Sequence, residues 1–311
     1  MRHHVYVQPL HRGVVIALVV ALFAVVGGSS FAASSASVST GTRQAASGMD
    51  PKLHAMLPAS VQKAGVINAA TNAEYPPYEY LGSNGKTVLG IDPELAGAVG
   101  TVLGIKFKFI NIPWSSVIPG VESGRYLLAW SDATDLKSRE VKADILDYVR
   151  SGQGFMWKSG GHAINTVYDS CGLKIGVNQG SDAVGYVTSI SKKCTAAGKP
   201  AINMLTFPSQ DTATLAIRSG RIDATVNASE TNAWVAKHSH GSLVAGGPVF
   251  YTGVSGIVFP KHSPLLKPIR LALNKVKAAG AYKRIFAKYG IPNNVLQKFT
   301  VNSPTAYGST G

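Results

Sequence analysis

The chain has two cysteines among 311 residues, 16 acidic residues against 30 basic ones, and a single long apolar run. Each scarcity excludes something. Cys171 and Cys194 form no CxxC and have no neighbouring histidine, which argues against a zinc pair. No HExxH, P-loop or zinc-spaced Cys/His set occurs, and "GVSGI" at Gly253 ends in Ile257 rather than the glycine of a nucleophile elbow. The eight histidines are dispersed, three of them before residue 12 and His238 and His240 in a polar loop. No metal and no cofactor is expected. The acid shortage gives a net charge of +14, but the basic residues are scattered, with no block of five or six, so nucleic acid is not the expected partner. After the first apolar run no second one follows, which removes the membrane-spanning segment a sensory receptor would need.

That first run spans Val14 to Val26, behind Arg2 and Arg12 and ahead of "SFA" at Ser30 to Ala32. Basic residues, an apolar stretch shorter than the roughly 20 needed to cross a bilayer, then small residues, is the order of a secretory signal. Residues 1–32 are read as a signal peptide, 33–49 as a flexible leader and 304–311 as a tail. The mature protein is expected in the periplasm or secreted, without a lipid anchor. In that oxidising setting Cys171 and Cys194 are expected to pair.

Between leader and tail, strand patterns alternate with helix patterns. "GVINAAT", "IKFKFI", "LKIGV", "RIDATV" and "SGIVFP" read as strands. "DPELAGAVGTVLG" reads as a helix with Asp92 as N-cap, Pro93 at its first position and Gly104 just past its end. "DTATLAIRSG" is a helix ended by Gly220, and residues 267–290 form one or two amphipathic helices. The alternation predicts α/β layers with mostly parallel strands, in which ligands sit beyond the carboxyl ends of strands.

Five segments in order resemble the extracellular solute-binding proteins for polar amino acids, the receptors of ABC importers. They are Tyr75-Pro76-Pro77-Tyr78 with Gly90-Ile91-Asp92, "WSSVIPGVESGRY", "SDATDLKSRE", "CGLKIGVNQGS" and "LAIRSGRIDA", and together they cover about residues 58 to 300. The resemblance implies a two-lobed periplasmic-binding-protein-like type II α/β fold with mixed sheets and two crossover strands. Lobe 1 would be residues 50–156 plus 256–303 and lobe 2 residues 157–255. A small ligand, an amino acid or related carboxylate, would sit between lobes that close on it. The closed monomer would then dock on the membrane subunits of an ABC permease. The cysteine spacing also resembles a subgroup with a second-lobe disulfide.

The resemblance implies that Arg139 grips the ligand carboxylate through its planar fork. Ser131, Thr134 and Ser181 would add neutral donors, and Tyr75, Tyr78 and Trp114 an aromatic face. Each also has a plainer reading: a surface arginine, turn hydroxyls, a helix cap, tyrosines on prolines, a core tryptophan. Departures stand out. Where the family places an acid for the ligand ammonium, five residues after Asp223, this chain has Ala228, flanked by Asn227, Ser229 and Glu230. Asn72 replaces a common aspartate, Asp132 replaces a small residue, and Leu127 alters a helix–strand junction. Asp132, Ser229 and Glu230 are candidate replacements for the missing acid. The alternative function is a lyase on the same scaffold, a prephenate or arogenate dehydratase, with Glu230 as the first catalytic candidate.

Overall fold

In the computed structural model, residues 48–303 are described, so the expected signal peptide, most of the leader and the tail lie outside the described residues. The chain opens with α1 (Pro51–Ala55), α2 (Ala59–Ala64), β1 (Val66–Thr71), β2 (Glu74–Tyr75), β3 (Glu79–Leu81), β4 (Val88–Leu89) and α3 (Ile91–Leu103). It continues with β5 (Lys106–Asn111), α4 (Val117–Glu122), β6 (Ala129–Thr134), α5 (Lys137–Glu140) and β7 (Ala143–Lys158). Then come β8 (Lys174–Asn178), α6 (Ala183–Ala196), β9 (Asn203–Phe207), α7 (Gln210–Arg218), β10 (Ala224–Ala228) and α8 (Ser229–Lys237). The last elements are β11 (Leu243–Pro260), α9 (Leu266–Ala278) and α10 (Ala281–Lys288).

The main sheet runs β5-β1-β6-β11-β7-β10-β8-β9. Its two outer wings are parallel, β1 with β5 and β6 on one side, β8 with β9 and β10 on the other. The middle is antiparallel, made by the long strands β7 and β11. These two strands cross from one wing to the other, and β11 changes register at Gly246/Phe250, Phe250/Gly253 and Ser255/Gly256. Each wing has its own apolar cores. Leu95, Trp130, Phe259, Leu273 and Phe286 belong to the first, and Phe155, Val177, Val187 and Ile190 to the second.

Local chemistry explains the element ends. α3 stops at Gly104, which takes the left-handed conformation at φ 66°. Its start differs from the sequence expectation: Gly90 is the N-cap and Asp92 already lies inside the helix. Asp92 is drawn inward instead, where its Oδ1 accepts from the Tyr148 hydroxyl at 2.5 Å. Gly90 is required there, because a Cβ would stand 2.2 Å from the Tyr78 carbonyl oxygen and φ is +127°. The closing amphipathic segment is two helices, separated at Gly280. α9 buries Ile269, Ala272, Leu273 and Val276, the spacing of one helical face.

Cys171 and Cys194 form a disulfide that ties the segment before β8 to α6. Closing a loop of 23 residues' separation restricts the unfolded chain. Replacing both cysteines by serine is expected to lower unfolding free energy by about 3 kcal/mol, measured by urea titration. An unchanged midpoint would mean the bond adds nothing to stability.

The segment after α10 returns to β7. Val301 bridges Leu146, Val295 bridges Val149, and the Thr300 hydroxyl donates to Asp147 Oδ2 at 2.6 Å. Beside it Asp135 and Asp147 are fully buried. Burial, and then the neighbouring Glu140, pushes Asp135 up to about 7; burial and the Asp135 charge push Asp147 up to about 8. Folded-state values above the unfolded ones mean that the folded chain holds extra protons. The stability this carries is complete below the ordinary carboxylate range and disappears as pH rises through 7 to 8. Asp135→Asn, which can donate to Asp147, is expected to flatten that loss between pH 5 and pH 9 in chemical denaturation. An equal slope in both proteins would refute the assignment.

Candidate functional site

The wings meet along a cleft that the chain bridges with its own hydrogen bonds. From the first wing, Trp114 Nε1 donates to the Gly180 carbonyl at 3.0 Å and Thr134 Oγ1 to Asp182 Oδ2 at 2.7 Å. From the second, Asn178 Nδ2 donates to the Tyr75 hydroxyl at 2.6 Å and the Gln210 backbone N–H to Glu74 at 2.8 Å. Enclosed among these contacts is a small cavity of about 30 Å³. Tyr75, Trp114, Ser131, Asp132, Thr134 and Ser181 line it, as do Ser151, Gln153, Asp182, Asn227 and Ala228.

The aromatic wall is an edge-to-face pair, Tyr75 and Trp114, with centroids 6.1 Å apart. Trp114 also carries the Arg139 guanidinium over its ring at 5.1 Å. The polar wall is rich in acceptors. Asp132 sits at φ 39°, a left-handed conformation that aspartate tolerates better than most residues. Asp132 Oδ1 and Gln153 Oε1 are sealed from solvent and meet no donor in the protein. Gln153 Nε2 donates to Asp182 Oδ2 at 3.4 Å, and Asn227 Oδ1 accepts from the Ala228 backbone N–H, leaving Asn227 Nδ2 unpaired. Burial holds the Asp132 carboxyl well above the usual range, and Asp92 and Glu230 reinforce the shift.

A second, open space of about 730 Å³ adjoins this cavity through shared Ser181 and Asp182. Arg139 lines that vestibule together with Gly180, Tyr186, Lys193 and Tyr251. Arg139 does not line the inner cavity; it is buried, and its Nη1 donates to the Thr134 carbonyl at 2.9 Å. Ser181 Oγ donates to the Asn178 carbonyl, closing the turn that leads into α6.

Of the other sequence candidates, only Ser131 lines the cavity. Ser131 reaches the cavity, yet its hydroxyl accepts from the Asn72 backbone N–H at 2.9 Å and donates to Glu79 at 2.8 Å. Asn72 itself is buried, donating Nδ2 to the Ile112 carbonyl. Tyr78 is fully enclosed in the first wing's core. Ser229 and Glu230 line a different pocket of about 430 Å³, with Trp234 and Tyr289. Both Glu230 oxygens are occupied there, by Ser151 Oγ at 3.0 Å and Asn294 Nδ2 at 2.7 Å. Ser151, Gln153 and Asp182 line the cavity without being candidates in the sequence, and Asn227 stands out there only as a neighbour of Ala228. A glutamine between Gly152 and Gly154 in an apolar strand was the available signal for Gln153.

The sequence profile of the bacterial extracellular solute-binding proteins, family 3, matches residues 67–292. The chain belongs to that family. It is 29% identical over 253 residues to the arginine-binding protein ArgT of Corynebacterium glutamicum, covering 81% of this chain and 83% of that one. A probable histidine-binding protein of Neisseria gonorrhoeae is 29% identical, over 72% and 82% of the two chains. Among solved structures, an ancestral arginine-binding protein bound to arginine superposes with a TM-score of 0.66 at 29% identity, over 73% and 98% of the chains. The family is extracellular, and no helix among the described residues is long and apolar enough to cross a membrane.

Proposed function

We propose that this solute-binding protein is the exported receptor of an ABC importer and captures a basic amino acid, arginine foremost, between two closing lobes. The lobes are residues 50–156 with 256–303, and 157–255, and the permease's membrane subunits are the partner of the closed form. The observation that carries this is the acid-lined, aromatic-walled cavity at the junction of the wings. Asp132 and Asp182 enter it and no basic side chain does, an environment suited to a cation. The relatives whose names specify arginine support the same reading. Catalysis is outside the proposal, since Glu230 is held on both oxygens away from the cavity.

The test is a thermal-shift panel of the twenty amino acids on the mature protein, each at millimolar concentration. A ligand at a hundred times its Kd adds about 2.7 kcal/mol, a shift of several degrees. Arginine is expected to give the largest shift, and Arg139→Ala to reduce it. A panel without any shift would overturn the reading.

A further inference from the structure

The charge of this chain is unevenly spread. Glu230 is its last acidic residue, and the 81 residues after it carry ten lysines and arginines and no carboxylate side chain, which is +10 of the net +14. Residues 157–230, which build most of the second wing, hold seven basic residues and five acids. A protein that was basic all over would show the excess in both stretches.

Helical periodicity collects the excess on one side. α9 buries Ile269, Ala272, Leu273 and Val276, and Lys267, Arg270, Lys275 and Lys277 fall on the half of the helix turned away from them. α10 buries Tyr282 and Phe286, which leaves Lys283, Arg284 and Lys288 exposed. The two helices pack on each other and on α3, with α1 beside α9, over a single core. Two partly exposed acids belong to this layer, and both are taken. Asp50 pairs with Lys275 at 2.8 Å and Glu94 with Lys288. Among the described residues, Lys267, Arg270, Lys277, Lys283 and Arg284 pair with no carboxylate. No large apolar side chain is exposed on α9 or α10, so this face attracts by charge and inserts nothing into hydrocarbon.

We infer that the outward face of α9 and α10 is an electrostatic docking surface for an anionic phospholipid bilayer. The inference rests on the receptor reading, since an importer's membrane subunits sit in a bilayer and a receptor held against it stays near them. Both cysteines are consumed by the disulfide, so neither carries a thioether-linked lipid. Five cations without carboxylate partners share one face, and each acts over a screening length of about 10 Å at 0.1 M salt. Together they suit an extended anionic surface better than a single acidic side chain.

Co-sedimentation of the mature protein with vesicles decides it. At about 0.1 M salt the protein should pellet with phosphatidylcholine vesicles containing about 30% phosphatidylglycerol and stay in solution with phosphatidylcholine alone. Raising the salt to about 0.5 M should weaken the binding at least about tenfold. Lys267→Gln combined with Lys283→Gln and Arg284→Gln should also weaken it by about tenfold or more. Lys174→Gln combined with Lys192→Gln and Lys199→Gln, an equal loss of charge on the second wing, should leave it within about twofold. Equal losses in the two triple variants would overturn the inference, because net charge rather than this face would be responsible. Failure to pellet with the anionic vesicles would overturn it too, and retardation of duplex DNA at the same salt would then assign the face to nucleic acid. The arginine thermal shift is a separate readout. Retained in both triple variants, it shows that they fold; absent in the wild type, it removes the receptor reading without altering where the protein sediments.

Discussion

Replacing Trp114 by alanine is expected to destabilise the protein by about 3 to 5 kcal/mol and to weaken arginine binding by at least about a hundredfold. The side chain is 8% exposed and sits among Val117, Val121, Tyr126 and Val258. Truncation would leave a cavity in that cluster that the surrounding sheet and helix can fill only in part. It would also remove three contacts that converge on the cleft. Tyr75 would lose its edge-to-face partner, Arg139 the ring beneath its guanidinium, and Gly180 its only cross-cleft donor from this residue. Trp114→Phe separates these effects. It keeps a ring but not the indole N–H, so the stability loss should shrink and the loss from the Gly180 hydrogen bond, about 1 kcal/mol, should remain. Urea denaturation gives the first quantity and calorimetry the second. An alanine variant with wild-type stability would place Trp114 outside the core.

Asp132→Asn is the second large effect. At a pH high enough for the wild-type affinity to have levelled off, it should weaken arginine by roughly a thousandfold, about 4 kcal/mol, the scale for removing one side of an enclosed charge pair. Stability should barely change, because asparagine also accepts the left-handed backbone at φ 39°. The pH dependence identifies the group. Burial raises the Asp132 carboxyl, Asp92, Glu230 and Asp182 raise it further, and the Ser255 side chain opposes them. Glu79, behind Asp92, is raised in the same way. A cation needs the carboxylate form, so the wild-type affinity should rise with pH as Asp132 gives up its proton. In the asparagine variant that climb should be much reduced. A variant as tight as wild type, or one with an identical pH profile, would remove Asp132 from the site.

Most of the architecture was legible because strand and helix periodicities are local. β1, β5, β8, α3, α7 and the ends of the final helices follow from alternation, capping and glycine stops. β7 was not, because its 16 residues read "ADILDYVRSGQGFMWK", with acids and glycines that break any two-residue alternation. It is buried on both faces, so the pattern of a half-exposed strand never appears. The same holds for the site. Tyr75, Trp114, Asp132 and Thr134 were visible in short motifs, and all reach the cavity. Gln153 and Asp182 join them from elements far apart in sequence, a meeting that only the pairing of β7 with β10 and the closing of the cleft create. The placement of Arg139 was equally out of reach, since its contact with Trp114 depends on how the turn after β6 folds back.

The wiring of the sheet also sets the order in which the polypeptide can become complete. The second wing's core draws on one continuous stretch, from the end of β7 through the first half of β11, and needs no residue later in the chain. The first wing's core does. Phe259, Leu265, Ile269, Leu273, Tyr282, Phe286 and Phe299 all insert into the core begun by α3 and β1. Until those last residues arrive, the amino-terminal half carries an unfilled apolar surface and lacks one of its central strands. A chain made from its amino terminus therefore leaves the first wing's core incomplete until Phe299 has been added.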